Sequence, residues 1–237
     1  MKILFMGRKQ VSANLLRFLT KQDHIEIVGV LTDSHLQGSP TTAAAQELGL
    51  PLYTFDTALE AMREGRLKYD LGLSVLYWRK LRDEFLSIPT LGTINFHPAL
   101  LPEYKGTGGY NLAIMDELDQ WGNTAHYVDA SIDTGEIIEV DRFPIAAETE
   151  TAQSLERKTM QALEPFAQRI IARAIESKTK LPTTPNIGGR YVSRDEMEAM
   201  KQILDGDNIE KKIRAFWFPP YDGAYVEING QKYTLIN

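Results

Sequence analysis

In the stretch NFHPALLPEYKG, residues 95 to 106, an Asn and a His stand two residues apart behind an apolar run, and a Pro follows at once. In a continuing strand that spacing puts both side chains on one face. Pro98 disfavours an α conformation at His97 and holds its imidazole in an extended turn. A second segment, TAHYVDASIDTGEII at 124 to 138, brings His126 together with Asp129, Asp133 and Glu136. Asp133 precedes Thr134-Gly135, a turn signal that leaves its carboxylate at an exposed apex. Asn95, His97 and Asp133 together suit acyl transfer to an amine: donors must meet the developing oxyanion while a base takes the amine proton. None of the three is an obvious nucleophile. The same residues also admit a plainer reading, with His97 a hydrogen-bonded turn histidine and Asp133 a turn-forming Asx residue. No metal site is indicated, because no two of His24, His35, His97 and His126 stand close enough in sequence for a short ligand motif.

The elements that must position these residues follow from hydrophobic patterning. KILFMG (2 to 7) and IEIVGVLT (25 to 32) lack polar alternation, which is the pattern of strands covered on both faces. Between them VSANLLRFLTK (11 to 21) has helical spacing through Leu15, Leu16 and Leu19. AAAQELGLPLYTF (43 to 55) reads as a helix stopped by Gly49 and Pro51 and followed by a strand, and DLGLSVLY and LGTINF continue the series. Such alternation implies a doubly wound α/β sheet with right-handed crossovers. Its strands would deliver Asn95 and His97 to the carboxyl ends, where ligands of open α/β sheets gather. Residues 151 to 177 form the longest helical signal, with Pro165 as a bend point. The Pro/Gly/Thr-rich connector that follows ends in a helix cap at Ser193. A further helix near 207 to 215 precedes an Asn229-Gly230 pair, the signal for a type I′ hairpin. This places one main domain at residues 1–185 and a small extension at 186–237.

Composition narrows the function further. The 237 residues are 43% hydrophobic and 24% charged, as in a soluble globular protein. No run approaches the roughly 18 apolar residues of a membrane span, and the first ten residues turn polar too soon for a secretory signal. A cytoplasmic protein without a membrane partner is expected. With no cysteine, disulfides, thiolate zinc sites and a Cys nucleophile are excluded. A net charge of -6 and a pI of about 5.3 disfavour nucleic acid as a partner.

TINFHPALLPEYKG together with SIDTGEII resembles the paired signatures of the 10-formyltetrahydrofolate-dependent formyltransferases. That family includes the methionyl-tRNA, glycinamide ribonucleotide and sugar-nucleotide N-formyltransferases. The similarity runs in order from the first strand, through DLGLSVLYWRKLRDEFLSIPTLGTINFHP, to IEKKIRAFWFPPYDGAYVEINGQ near the C-terminus. Two long motifs in register are far more specific than a lone short one, and they favour the chemical reading over the turn reading. The resemblance implies a Rossmann-like catalytic domain with a small C-terminal extension of helices and a β-hairpin. It implies that Asn95 and His97 donate to the formyl oxygen, and that Asp133 orients or charges His97 and accepts the amine proton. The co-substrate would be 10-formyltetrahydrofolate, without a metal. Its pteridine would lie against the main chain of Leu76, Tyr77, Trp78 and Arg79 and of the loop holding Asp129 and Ile132. His126 would pack beneath the site.

The acceptor is read by elimination within the family. The tRNA enzyme carries a basic loop after the second strand and a C-terminal barrel, whereas TDSHLQGSPTT has no Lys or Arg. The glycinamide ribonucleotide enzyme has a glycine-rich phosphate loop after the first strand; here GRKQVSAN offers Gly7 alone, with Arg8 and Lys9 either gripping a phosphate or forming a solvated surface. The remaining branch acts on nucleotide-linked amino sugars for surface polysaccharides such as lipopolysaccharide O-antigen, and this chain resembles it in RAFWFPPYDGAY. Phe216, Trp217, Phe218 and Tyr221 would form a flat platform for a base, or else pin the hairpin down. Tyr104, Lys105 and Arg190 would serve a sugar diphosphate. The expected reaction is formyl transfer to the amine of a nucleotide-linked amino-deoxy sugar, such as a dTDP-4-amino-4,6-dideoxyhexose, through a tetrahedral intermediate. The alternatives are another amine (glycinamide ribonucleotide or methionyl-tRNA) and 10-formyltetrahydrofolate hydrolysis. The apolar C-terminal hairpin offers a surface for a homodimer.

Overall fold

β1 (Lys2–Gly7) is buried along its whole length except for Lys2, as its unbroken apolar run requires. The fold is that of a computed structural model, which describes residues 1–32 and 38–237; His35 and the centre of the TDSHLQGSPTT segment lie outside the described residues. After β1 come α1 (Gln10–Leu19), β2 (Glu26–Leu31), α2 (Pro40–Glu47), β3 (Leu52–Tyr53), α3 (Phe55–Arg63), β4 (Leu71–Val75), α4 (Asp83–Ser87) and β5 (Thr93–His97). They are followed by β6 (Tyr104–Gly106), α5 (Gly109–Met115), β7 (Gln120–Tyr127), β8 (Ile137–Pro144), α6 (Ala152–Ser177), β9 (Arg190–Val192), α7 (Arg194–Ala199), α8 (Ile209–Phe216), β10 (Tyr225–Ile228) and β11 (Gln231–Thr234).

Seven strands form one sheet in the order β3-β2-β1-β4-β5-β7-β8. β1 pairs parallel with both β2 and β4, β4 pairs parallel with β5, and β7 joins β5 antiparallel. This is the expected Rossmann-like α/β fold. The chain winds outward through β2 and β3, then returns to lay β4 on the other side of β1, so the switch point lies at the carboxyl ends of β1 and β4. Among the described residues no helix is long and apolar enough to cross a membrane.

The chain divides into two compact units. The first comprises Met1–His97, Thr124–Val140 and Leu163–Asn186; the second comprises Pro98–Asn123, Asp141–Ala162 and Ile187–Asn237. Neither unit is one continuous stretch of sequence: residues 98–123 and 141–162 group with residues 187–237. In the first unit Leu4, Met6, Phe55, Leu59, Met62 and Phe85 form a buried cluster, with Tyr77 and Val128 packed against it. Phe55 and Phe85 stack at 5.1 Å, an arrangement worth about 1 kcal/mol beyond its buried area. In the second unit β6 pairs parallel with β9, and Trp121 is fully buried with its ring 5.3 Å from Tyr104. Ser193 caps α7 through a capping box with Glu196, as its sequence signal requires. β10 and β11 form the expected hairpin, with Asn229 and Gly230 at φ 50 and 78. Pro165 lies inside α6, which continues unbroken around it.

Candidate active site

The register of three strands assembles the site. Asn95 on β5 is paired with Ser74 of β4 on one side and with His126 of β7 on the other. Directly opposed residues in an antiparallel pair share a face, and Asn95 Nδ2 lies 3.0 Å from His126 Nε2. The other ring nitrogen, His126 Nδ1, lies 2.8 Å from the carbonyl oxygen of Tyr127. A carbonyl only accepts, so Nδ1 carries the proton, and Nε2 accepts from Asn95. One N–H of the Asn95 amide is thereby committed and the other remains.

Asp133 joins the two histidines. Its Oδ2 lies 3.6 Å from His97 Nδ1 and its Oδ1 lies 3.7 Å from His126 Nε2. These separations are just beyond hydrogen bonds, as is common for catalytic pairs before substrate tightens them. Asp133 adopts a left-handed backbone, φ 55, and its side chain is only 11% exposed. The exposed apex expected from Thr134-Gly135 is therefore corrected: the loop turns the carboxylate inward. Asp129 is the Asx residue of this loop, accepting from Ser131 N at 3.0 Å and from Thr134 Oγ1 at 2.6 Å.

A cavity of about 130 Å³ opens on this cluster, walled by Asn95, His126, Asp129 and Asp133 at its polar end. Its other walls are Tyr77, Trp78, Leu81, Val128 and Ile132, with Arg79 and Ser131 beside them. Trp78 is 49% exposed and Ile132 43% exposed. The Arg79 guanidinium lies 4.1 Å from the centre of the Phe55 ring, a cation–π contact that fixes the loop after β4. Leu76, at φ 56, turns the chain outward at the end of β4 but does not itself line the cavity. Apolar walls with polar groups converging at one end suit a flat heteroaromatic ring with hydrogen-bonding edges. His126 is part of the wall, not packed beneath it; sequence spacing missed it because its place depends on the β5–β7 register. Among the described residues, no group of His, Cys, Asp and Glu could hold a metal ion.

The expected acceptor contacts fall in two places. In the first unit Arg8 follows β1, with its carbonyl accepting from Ser39 Oγ at 2.8 Å, and Arg8 Nε is buried without a partner. Lys9 is the N-cap of α1, and its carbonyl accepts from Thr41 Oγ1 at 3.2 Å. In the second unit Tyr104 pairs with Arg190 across β6 and β9. The Tyr104 hydroxyl donates to Asp116 at 3.0 Å, and its pKa is pushed up to about 12 by burial and by the Asp116 charge. Lys105 is buried and donates to the Gly188 carbonyl at 2.7 Å, while Arg190 is exposed. Trp217 is half-buried and Tyr221 is 60% exposed. The Tyr221 ring lies 5.9 Å from Phe218 at 50°, and Phe216 is a core residue at 2% exposure. The four aromatics therefore do not form one flat platform, because burial takes Phe216 inside and the Phe218 and Tyr221 rings are tilted against each other.

A Rossmann-like sheet with an Asn–His–Asp cluster at the carboxyl ends of its central strands places hydrogen-bond donors and a carboxylate where a developing oxyanion and a released proton can be met. The chain belongs to the formyl transferase family, which matches residues 1–171, and it is a formyltransferase. It is 27% identical to a methionyl-tRNA formyltransferase from Herpetosiphon aurantiacus, over all of this chain and 80% of that one. Its fold is similar to that of a 4-N formyltransferase from Francisella tularensis, with a TM-score of 0.79 and 21% identity over 100% of this chain and 96% of that one. It is likewise similar to an N-formyltransferase from Helicobacter canadensis solved with folinic acid and dTDP-3-aminofucose, with a TM-score of 0.76 and 24% identity over 98% of this chain and 86% of that one. At these identities the structural likenesses are likenesses of fold.

Proposed function

We propose that this formyltransferase moves the formyl group of 10-formyltetrahydrofolate to the amine of a nucleotide-linked amino-deoxy sugar, in the cytoplasm, with residues 1–185 as its catalytic domain. The observation that carries the chemistry is the convergence of Asn95, His126, Asp133 and His97 beside the cavity edged by Trp78 and Ile132. When bound, the folate supplies the formyl carbon. Asn95, with one N–H held by His126, directs the other to the oxygen that gains charge. His97 is the second donor. Asp133 balances the charge on His97, takes the proton of the attacking amine directly or through water, and returns it to the folate nitrogen as the bond from that nitrogen to the formyl carbon breaks. Tyr77, Trp78 and Leu81 hold the ring system and exclude water from it.

The sugar acceptor is supported by the full-length match of fold to a 4-N formyltransferase and to an N-formyltransferase solved with dTDP-3-aminofucose. The relatives named for methionyl-tRNA favour a second reading. The chain's net charge of -6 weighs against it, since a tRNA backbone is met by clustered cations.

A panel assay decides between them. Purified protein is given 10-formyltetrahydrofolate with dTDP-3-amino and dTDP-4-amino-dideoxyhexoses, glycinamide ribonucleotide or methionyl-tRNA, and product mass and free formate are followed. A gain of one formyl group on a sugar nucleotide supports the proposal. Formylation of the tRNA or of the ribonucleotide replaces it, and formate without any formylated amine makes the protein a hydrolase.

A further inference from the structure

We infer that Asn186 is a positioning residue that holds the Asp133 loop so that the carboxylate faces His97 and His126; the catalytic part of this inference rests on the role proposed above for Asp133. Asn186 Nδ2 donates to the Asp133 carbonyl at 3.0 Å and to the Gly135 carbonyl at 2.8 Å. The two bonds bracket the Thr134-Gly135 pair and fix the peptide plane before Thr134 and the one after Gly135. Asn186 Oδ1 is buried without a partner. Two carbonyl acceptors leave the amide one orientation, and the orphaned oxygen is the cost of that grip.

The rest of the loop shows why such a grip matters. Its first half is held by the Asp129 carboxylate, through Ser131 N and Thr134 Oγ1. Its far end is held where Gly135 passes so close to β7 that a Cβ there would lie 1.8 Å from the Tyr127 carbonyl oxygen. Asp133 stands between these anchors in a left-handed conformation, φ 55, a region that non-glycine residues occupy only when neighbouring contacts impose it. The segment carrying Asn186 is itself fastened to the end of the loop: Thr184 and Ile137 exchange backbone hydrogen bonds at 2.8 and 2.9 Å, and Thr183 Oγ1 donates to Glu136 at 3.0 Å. Asn186 is the last link of that fastening and reaches the carbonyl of the acidic residue itself. Local sequence gives no hint of it, since 53 residues separate it from Asp133.

The test compares Asn186→Asp, which keeps the shape but has no N–H to give, with Asn186→Ala and with Asp133→Asn. Hydrogen–deuterium exchange over residues 130–136 reads the loop independently of any substrate. The expected result is at least tenfold faster exchange there in both Asn186 variants, with exchange in β5 unchanged. Unchanged loop exchange in Asn186→Asp overturns the inference. Turnover of 10-formyltetrahydrofolate with a dTDP-4-amino-4,6-dideoxyhexose reads the consequence: kcat is expected to fall at least tenfold in both variants, with KM for the folate within about twofold. A side chain that only fills space would spare the isosteric Asp and suffer most as Ala, and that ranking also overturns it. If Asp133→Asn is crippled while Asn186→Asp turns over normally, the positioning role falls and the site reading stands. If Asp133→Asn turns over normally, the site reading falls. If the wild-type protein does not formylate this sugar, the acceptor reading fails and loop exchange alone decides the inference.

Discussion

His126 Nε2 accepts a hydrogen bond from Asn95 Nδ2 at 3.0 Å because His126 Nδ1 already gives its proton to the Tyr127 carbonyl at 2.8 Å. The Nε2 acceptor thereby fixes which end of the Asn95 amide meets it, and an amide free to flip would present oxygen where a donor is needed. His126→Leu is expected to lower kcat about 10- to 100-fold, while His126→Gln, which brings an acceptor oxygen, retains more. Steady-state kinetics on the pair checks this; equal losses would reduce His126 to a packing residue.

Asn95 itself should show the larger loss. A single missing oxyanion donor costs about 3 kcal/mol of barrier, so Asn95→Ala is expected to lose about 10²- to 10³-fold in kcat. Its paired strands on both sides should survive, since the change removes a side chain and no ladder bond. Circular dichroism and kcat measured on one preparation separate lost chemistry from lost fold.

The motif pair made Asn95, His97 and Asp133 legible, because each reads from its immediate neighbours. The alternation of apolar strands and amphipathic helices made the β1–β5 part of the sheet legible for the same reason. His126 was not, since its role comes from the cross-strand register of β5 and β7. Nor were β6 and β9, which have three residues each and are too short to carry a period. The second unit could not be seen as a stretch of sequence, because it gathers residues 98–123 and 141–162 with the C-terminal 51. The Asx role that the plainer reading gave to Asp133 falls to Asp129, because only the folded loop shows which carboxylate holds the turn and which faces inward.

The proton scheme predicts a pH-rate profile with one clear sign. The attacking amine must be neutral and Asp133 ionised, so kcat/KM should rise from acid towards neutral pH as both lose their protons. A profile flat from about pH 6 to 9 would contradict this scheme.

Two glycines should separate steric need from backbone need. At Gly135 a Cβ would lie 1.8 Å from the Tyr127 carbonyl oxygen, whereas at Gly188, φ 84, it would meet nothing within 4 Å. Gly135→Ala must move backbone and is expected to cost about 3 kcal/mol. Gly188→Ala pays only the left-handed conformation, about 1 kcal/mol. Urea midpoints measure both, and similar values would show that the Asp133 loop yields without strain.

Acid stability can be traced to a carboxylate outside the site. Burial alone would raise the Glu139 pKa, but hydrogen bonds from Arg169 and Arg173 outweigh it and hold the group below its ordinary 4.5. A depressed folded pKa gives stability that is present above the unfolded value and is lost as pH falls through the folded one. Glu139→Gln should therefore cost about 1 kcal/mol at neutral pH, and the difference from wild type should shrink steadily below the unfolded carboxylate pKa. Urea unfolding at neutral and acid pH tests it: a difference that persists undiminished in acid would mean that the Arg169 and Arg173 contacts stabilise through packing of their stems and not through the charge on Glu139.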